Sequence, residues 1–268
     1  MYRMSKNLKN FDKVTIITGG TMGIGEGCAR VFTRAGAPVV IAARDKTRGE
    51  EVARTICEQE QGSCTFIRCD VTLPEEIKAL IDETVRRFGR LDCLINNAGW
   101  HPPHTPIDDI SIEDFKDLLQ LNLVSYFAAC KFALPYLRQT KGCIINMGSL
   151  VGTMGQEYAT IYVATKAGIS GFSKALAVDE ARNGVRVNVI APGVIQTPLT
   201  KFYVDSQPDP KAMQEALNSW QWNGRTGTIE EVGEACLFLA SDGAGFITGI
   251  ELNISGGAEL AYGVKLPK

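Results

Sequence analysis

Short apolar runs alternate with longer amphipathic ones along nearly the whole chain. Val14–Ile17, Val39–Ala42, Thr65–Ile67, Leu91–Ile95, Cys143–Met147, Arg186–Ile190 and Ile250–Ile254 read as strands. Most are apolar at successive positions, the pattern of parallel strands covered by helices on both faces. Between them, helical periodicity runs through Glu26–Ala35, Glu50–Glu60, Glu75–Phe88, Asp114–Arg138, Ile161–Ala181 and Glu230–Ala240. Alternation sustained over seven strands predicts an α/β fold: one doubly wound, parallel, seven-stranded sheet with helices on both faces. No linker, repeat or low-complexity stretch divides it, so residues 1–268 are expected to form a single domain.

One segment breaks the rhythm. Residues 197–227 show no strand pattern but contain Pro208, Pro210, an amphipathic run, Trp220 and Trp222. An insertion between the last two strands lies at the carboxyl end of the sheet, where ligands bind. It is expected to be a mobile lid over the substrate, the alternative being a helical pair that simply packs on the domain.

Composition narrows the function classes. A net charge of −2 gives no electrostatic case for nucleic acid or an anionic membrane. No apolar run approaches the ~20 residues of a membrane span, and the polar N-terminus lacks a signal-peptide core. A cytoplasmic protein is expected. The eight cysteines form no Cys-x-x-Cys pair and read as small buried hydrophobes in a reducing compartment. His101 and His104 are the only histidines and have no clustered cysteine or acid beside them, so no metal site is expected.

Thr18-Gly19-x-x-x-Gly23-Ile24-Gly25 follows the first strand and opens the first helix. Glycines there permit a tight turn and let backbone approach a dinucleotide pyrophosphate at the helix N-terminus. After the second strand, a carboxylate would accept from the ribose hydroxyls of NAD. Ala43 stands there instead, and Arg44 follows, able to pair a phosphate through two N–H bonds. This favours NADP(H); NAD(H) remains if Asp45 serves the ribose. Asp70 and Val71, after the third strand, are placed for the adenine. Asn97, Ala98 and Gly99, after the fourth, suit a close backbone approach to the cofactor, though asparagine there can equally bond strand ends together. Pro192, Gly193, Ile195 and Thr197, after the sixth, are placed for the nicotinamide amide.

Tyr162 and Lys166, four apart on one predicted helix, share a face. A phenol of pKa ~10 is a poor base at neutral pH, and a nearby ammonium would lower it. Ser149, 13 residues before Tyr162 on the loop after a core strand, is placed to hydrogen-bond the substrate oxygen. Asn122 interrupts a long helical pattern, where its amide could hold a water linking Lys166 to solvent. Tyr158, four residues before Tyr162, has no lysine at the required offset.

Taken together, Thr18–Gly25, Asn96-Asn-Ala-Gly99, Asn122, Ser149, Tyr162-x-x-x-Lys166 and Pro192-Gly193 resemble the short-chain dehydrogenase/reductase family, from about Val14 to Gly257. The resemblance implies a Rossmann-type fold and interconversion of a secondary alcohol and a carbonyl with NAD(P). It makes Tyr162 the general acid/base, Lys166 its tuner and ribose anchor, Ser149 the substrate orienter and Asn122 the relay holder. A homotetramer built through the two long helices is also implied. Phe88-Gly-Arg-Leu-Asp92, His101-Pro-Pro103, Ala133-Leu-Pro-Tyr-Leu-Arg138 and Gly256-Gly-Ala-Glu-Leu-Ala-Tyr-Gly263 are similar to the type 14 branch of 17β-hydroxysteroid dehydrogenases. A 17β-hydroxysteroid is therefore the expected substrate, with an L-fucose-type sugar as the alternative and a small carbonyl compound also open. Trp100, His101, Tyr158 and Tyr262 are expected to line its pocket, although His101 could be only a loop residue held by two prolines. The rival class is a non-catalytic dinucleotide sensor, whose Ser-Tyr-Lys set would be eroded. Two positions depart from the family pattern: Gly148, where a serine is usual, and Ala43, where that branch carries an acid.

Overall fold

The computed structural model describes residues 11–260, so Tyr262 lies outside the described residues. Each of the seven apolar runs forms a strand: β1 (Thr15–Thr18), β2 (Pro38–Ala43), β3 (Ser63–Arg68), β4 (Cys93–Asn96), β5 (Cys143–Met147), β6 (Arg186–Pro192) and β7 (Glu251–Ile254). They make one sheet in the order β3-β2-β1-β4-β5-β6-β7, every pairing parallel. Strand order reverses between β1 and β4, which opens the crevice that nucleotides occupy in such sheets.

Both faces are buried because successive strand residues point to opposite sides. Ile17, Ile41, Ile95 and Ile145 pack with α1 (Gly23–Arg34) and α10 (Ile229–Ala240) on one face. Ile16, Val40, Leu94 and Ile144 pack on the other with α3 (Pro74–Phe88), α5 (Ser125–Thr140) and residues of α7 (Thr160–Glu180). The remaining helices are α2 (Lys46–Gln59), α4 (Ile112–Leu119), α6 (Val151–Met154), α8 (Pro198–Asp205) and α9 (Pro210–Ser219).

Three local outcomes differ from the pattern reading. First, α1 begins at Gly23, so two glycines of the N-terminal loop belong to its opening turns. Second, the long helix expected over 114–138 is α4 and α5 joined by a π-helical turn, Gln120–Val124, centred on Asn122. The whole stretch Ile112–Thr140 is long and apolar enough to cross a membrane by length and composition, but half of its apolar window is buried inside the fold. Third, residues 197–227 hold two capped helices. Thr197 accepts from Thr200 N and Asp209 from Ala212 N, with Pro198 and Pro210 at the first helical positions, where their missing N–H costs nothing. An isolated bridge between Ile195 and Gly227 ties the ends of the insertion together.

At the order reversal, β1 and β4 are clasped by side chains. The Thr18 hydroxyl accepts from Asn97 N at 3.0 Å and Ala98 N at 3.1 Å. In return the Asn97 amide donates to the carbonyls of Thr18 (3.0 Å) and Gly19 (3.2 Å). We predict that Thr18→Val, which strands two part-buried N–H donors, lowers the urea-unfolding free energy by about 1–2 kcal/mol. Thr18→Ser, which keeps the acceptor, should lose much less.

Candidate active site

The glycine loop is shaped by contacts that no side chain would allow. Gly19 and Gly23 have φ of +64° and +55°. A Cβ on Gly25 would lie 2.2 Å from the Gly19 carbonyl, and one on Gly19 2.9 Å from Ala98 Cα. Ile24 follows in the first turn of α1, whose N-cap residue Met22 makes no side-chain cap bond. The orphan N–H groups of that turn therefore face the loop, as an anion-binding helix end requires. The cradle fits a dinucleotide pyrophosphate.

Around this cradle the expected nucleotide contacts separate into free and occupied groups. Arg44 is exposed beyond Ala43, and its charge reaches Asp70. Asp45 is partly engaged: one of its carboxylate oxygens caps α2 by accepting from Arg48 N at 3.0 Å. The Arg48 guanidinium, which the sequence reading overlooked, donates to the Thr21 carbonyl at 3.1 Å, on the glycine loop itself. Burial pushes the Asp70 carboxyl up, but two bonds from Thr72 and the charges of Arg44 and Arg68 outweigh it and hold the group below its ordinary value. Val71 is buried beside it. Asn97 is committed to the β1–β4 clasp, leaving the backbone of Ala98 and Gly99 as the close approach. From β6, Pro192 and Gly193 lead to Ile195, whose carbonyl accepts from the Thr200 hydroxyl at 2.7 Å. Thr197 caps α8 and comes within 3.6 Å of where a Gly23 Cβ would be, so the nicotinamide-side loop meets the phosphate loop.

Ser149 follows β5, and its hydroxyl acts on Tyr162 of α7 in the direction that lowers the phenol. Gly148 is accommodated because a Cβ there would sit 2.7 Å from Val189 Cγ1. Lys166 is buried, donates to the Met147 carbonyl at 2.8 Å and lies 5.7 Å from the Tyr162 ring centroid. The expected lowering of the Tyr162 pKa is not what this geometry gives. Burial pushes the phenol up to about 12, against the pull of Ser149, and pushes Lys166 down to about 8. Each group loses more hydration than the other returns, since the ammonium is spent on a carbonyl and faces the ring.

Asn122 is buried at the centre of the π-helical turn, where the long helical pattern is interrupted as expected. Its amide donates to Trp100 O (2.9 Å) and Thr165 Oγ1 (3.2 Å), and its oxygen accepts from Trp100 N (2.9 Å). The side chain therefore pins the backbone of Trp100, at the start of the loop that leads to His101. That loop brings His101 onto Tyr162, ring centroids 4.1 Å apart. Trp100 and Tyr158 instead line a cavity of about 410 Å³ whose walls include none of Ser149, His101 or Tyr162. Tyr158 has φ +55°, a left-handed backbone, and its carbonyl accepts from Thr105 N. Gln156, which carried no sequence signal, bridges His101 (3.0 Å) and His104 (3.1 Å).

Residues 19–259 match the family described as enoyl-(acyl carrier protein) reductase. The chain belongs to the short-chain dehydrogenase/reductase family. It is 47% identical over 262 residues to an L-fucose dehydrogenase of Bos taurus, covering 98% of this chain and 95% of that one. An L-fucose dehydrogenase of Oryctolagus cuniculus is 46% identical, with coverages of 97% and 89%. The ligand-free structure of Thermoplasma acidophilum aldohexose dehydrogenase superposes with a TM-score of 0.86 at 31% identity, covering 96% and 98%. The chain is an NAD(P)-dependent oxidoreductase acting on alcohol groups, with a Rossmann-type sheet. These relatives are sugar dehydrogenases, so they back the sugar alternative over the hydroxysteroid reading.

A buried lysine pushed from 10.5 to about 8 costs the folded state about 3 kcal/mol while charged. The penalty is fully present below pH 8 and fades between pH 8 and 10.5, where the folded group is neutral and the unfolded one still charged. We predict that Lys166→Met is more thermostable than wild type at pH 7, and that this advantage shrinks by pH 10. Paired thermal unfolding at the two pH values checks it.

Proposed function

We infer that this protein is a sugar dehydrogenase of the L-fucose type that prefers NADP(H). The observation that carries the substrate class is His101 packed against Tyr162 and joined through Gln156 to His104, a run of hydrogen-bonding side chains that starts at the reacting phenol. An alcohol-rich ligand needs such partners, because buried hydroxyls left unpaired are costly. A steroid would ask mainly for apolar walls. The names of the Bos taurus and Oryctolagus cuniculus relatives support the same class.

The cofactor preference rests on the missing acid at Ala43, on Asp45 being partly engaged in a helix cap, and on two guanidinium groups, Arg44 and Arg48, beside the loop. A 2′-phosphate suits these groups through charge-assisted bonds. Nicotinamide dinucleotide seated in the cradle supplies the hydride acceptor for oxidation and the donor for reduction. Ser149 holds the reacting oxygen, and Tyr162 takes or returns its proton. Lys166 favours the charged phenol once a partner displaces Met147 O from the ammonium. Asn122 acts by fixing the loop that carries His101. The 197–227 segment serves as the lid; exposed Leu199, Phe202 and Trp220 support an apolar surface that would be covered on closure.

The same reading places the protein in the cytoplasm, supported by eight free cysteines of which all but Cys57 are buried. It assembles the protein as a homotetramer through the long helices, supported by exposed Ile112, Val124, Phe127 and Val178 on them. Initial rates with L-fucose and estradiol, each with NAD⁺ and NADP⁺, test the substrate and cofactor together. Turnover of L-fucose with NADP⁺ ahead is expected; estradiol alone would overturn the substrate class. Tyr162→Phe should lower turnover at least ~100-fold while cofactor still binds. Ala43→Asp should shift preference toward NAD⁺, and an unchanged ratio refutes the phosphate argument.

A further inference from the structure

His101, Gln156 and His104 form a hydrogen-bonded chain that starts at Tyr162 and runs outward. His101 is half-buried against the Tyr162 ring, and His104 is exposed. The two imidazole centroids are 5.4 Å apart, with the Gln156 carboxamide bonded to both. On its other side, His101 Nδ1 lies 2.7 Å from the Pro102 carbonyl, an acceptor only, so Nδ1 carries a proton in every arrangement.

That fixed proton leaves the chain with two satisfied arrangements. In one, the Gln156 oxygen accepts from His101 Nε2–H and its NH₂ donates to His104 Nε2. His101 then carries two protons and is an imidazolium, while His104 is neutral. In the other, the carboxamide is turned over. Its NH₂ donates to a bare His101 Nε2 and its oxygen accepts from His104 Nε2–H. His101 is then neutral, and His104 is free to hold the second proton. Each ring exchanges its proton with water or substrate, and the amide only rotates. Charging both rings breaks a bond to Gln156.

We propose that His104 is a positioning residue for the dehydrogenase reaction: through Gln156 it sets whether His101 presents Tyr162 with an imidazolium or a neutral ring. The consequence for chemistry, which rests on the reading of Tyr162 as the acid/base, is direct. An imidazolium packed against the phenol ring, tilted by 43°, favours the phenolate, adding a second cation to Lys166; a neutral ring adds none. The groups around His101 are Tyr162 from α7, with Lys166 against the Tyr162 ring, His104 on its own loop, and Glu157, whose charge acts on His104. Burial and the proximity of His101 push the His104 imidazole below its ordinary value, against a smaller upward pull from Glu157.

The chain contains only two histidines, both in this cluster, so imidazole nitrogen NMR of the untagged protein reads each ring without overlap from others. His104→Ala removes the competing charge and should move the His101 titration midpoint up by about 1 pH unit. Gln156→Leu removes the acceptor for Nε2–H and should move it down. If neither variant moves His101, the relay is overturned. The pH profile of kcat/KM for sugar oxidation should follow the His101 midpoint in both variants; a profile that stays put while the NMR midpoint moves overturns the link to Tyr162. A shifted NMR midpoint with no sugar turnover at all would support the relay and sink the substrate reading instead.

Discussion

Everything functional in this fold hangs on the clasp between the carboxyl ends of β1 and β4. Parallel strands on either side of an order reversal diverge, because each sends its following helix to a different face of the sheet. The Thr18 hydroxyl and the Asn97 amide hold that divergence to one fixed width, through four short bonds. The glycine loop can then press against Ala98 at a distance no Cβ would permit. A further buried bond continues the arrangement across the sheet, from Asn96 to Asn146 at 2.9 Å, and Asn146 donates on to Ser173 of α7 at 2.8 Å. The helix that carries Tyr162 and Lys166 is thereby fixed relative to the strand that leads to Ser149.

On that frame the site stores an electrostatic tension. A lysine and a tyrosine are brought out of water together, and burial moves each toward its neutral form. The protein does not relieve this within the site, since Lys166 Nζ bonds a backbone carbonyl and the cation lies over the ring. Such an arrangement spends folding stability to hold groups ready for a partner, as functional sites commonly do. Asn122 contributes in a related way. Its side chain captures both backbone groups of Trp100, and the π-helical turn around it marks where a helix has yielded regularity to hold a loop in place.

The fold was legible because its signals are local and repeated. Strand runs that are apolar at successive positions, with amphipathic helices between them, leave few alternatives to a covered parallel sheet. Ser149, Tyr162 and Lys166 were legible for the same reason, being fixed offsets along one loop and one helix. An interruption at Asn122 was legible, but its π-helical form and its partner were not, because Asn122 bonds a loop 22 residues earlier in the chain. Arg48 could have been found as a second basic residue four positions after Arg44. Gln156 could not, because nothing about a single glutamine says which two imidazoles it will meet.

The sequence by itself determined the order of elements, the glycine loop and the catalytic offsets, since these depend on periodicity, backbone freedom and residues close in the chain. Only the tertiary structure decided which groups remain available. It engaged Asp45 in a helix cap and Asn97 in the strand clasp, and it set Trp100 and Tyr158 together in the wall of one cavity. It also set the direction in which Tyr162 and Lys166 shift, because hydration lost on burial depends on everything that surrounds a group, while sequence spacing reports only its neighbours along the chain.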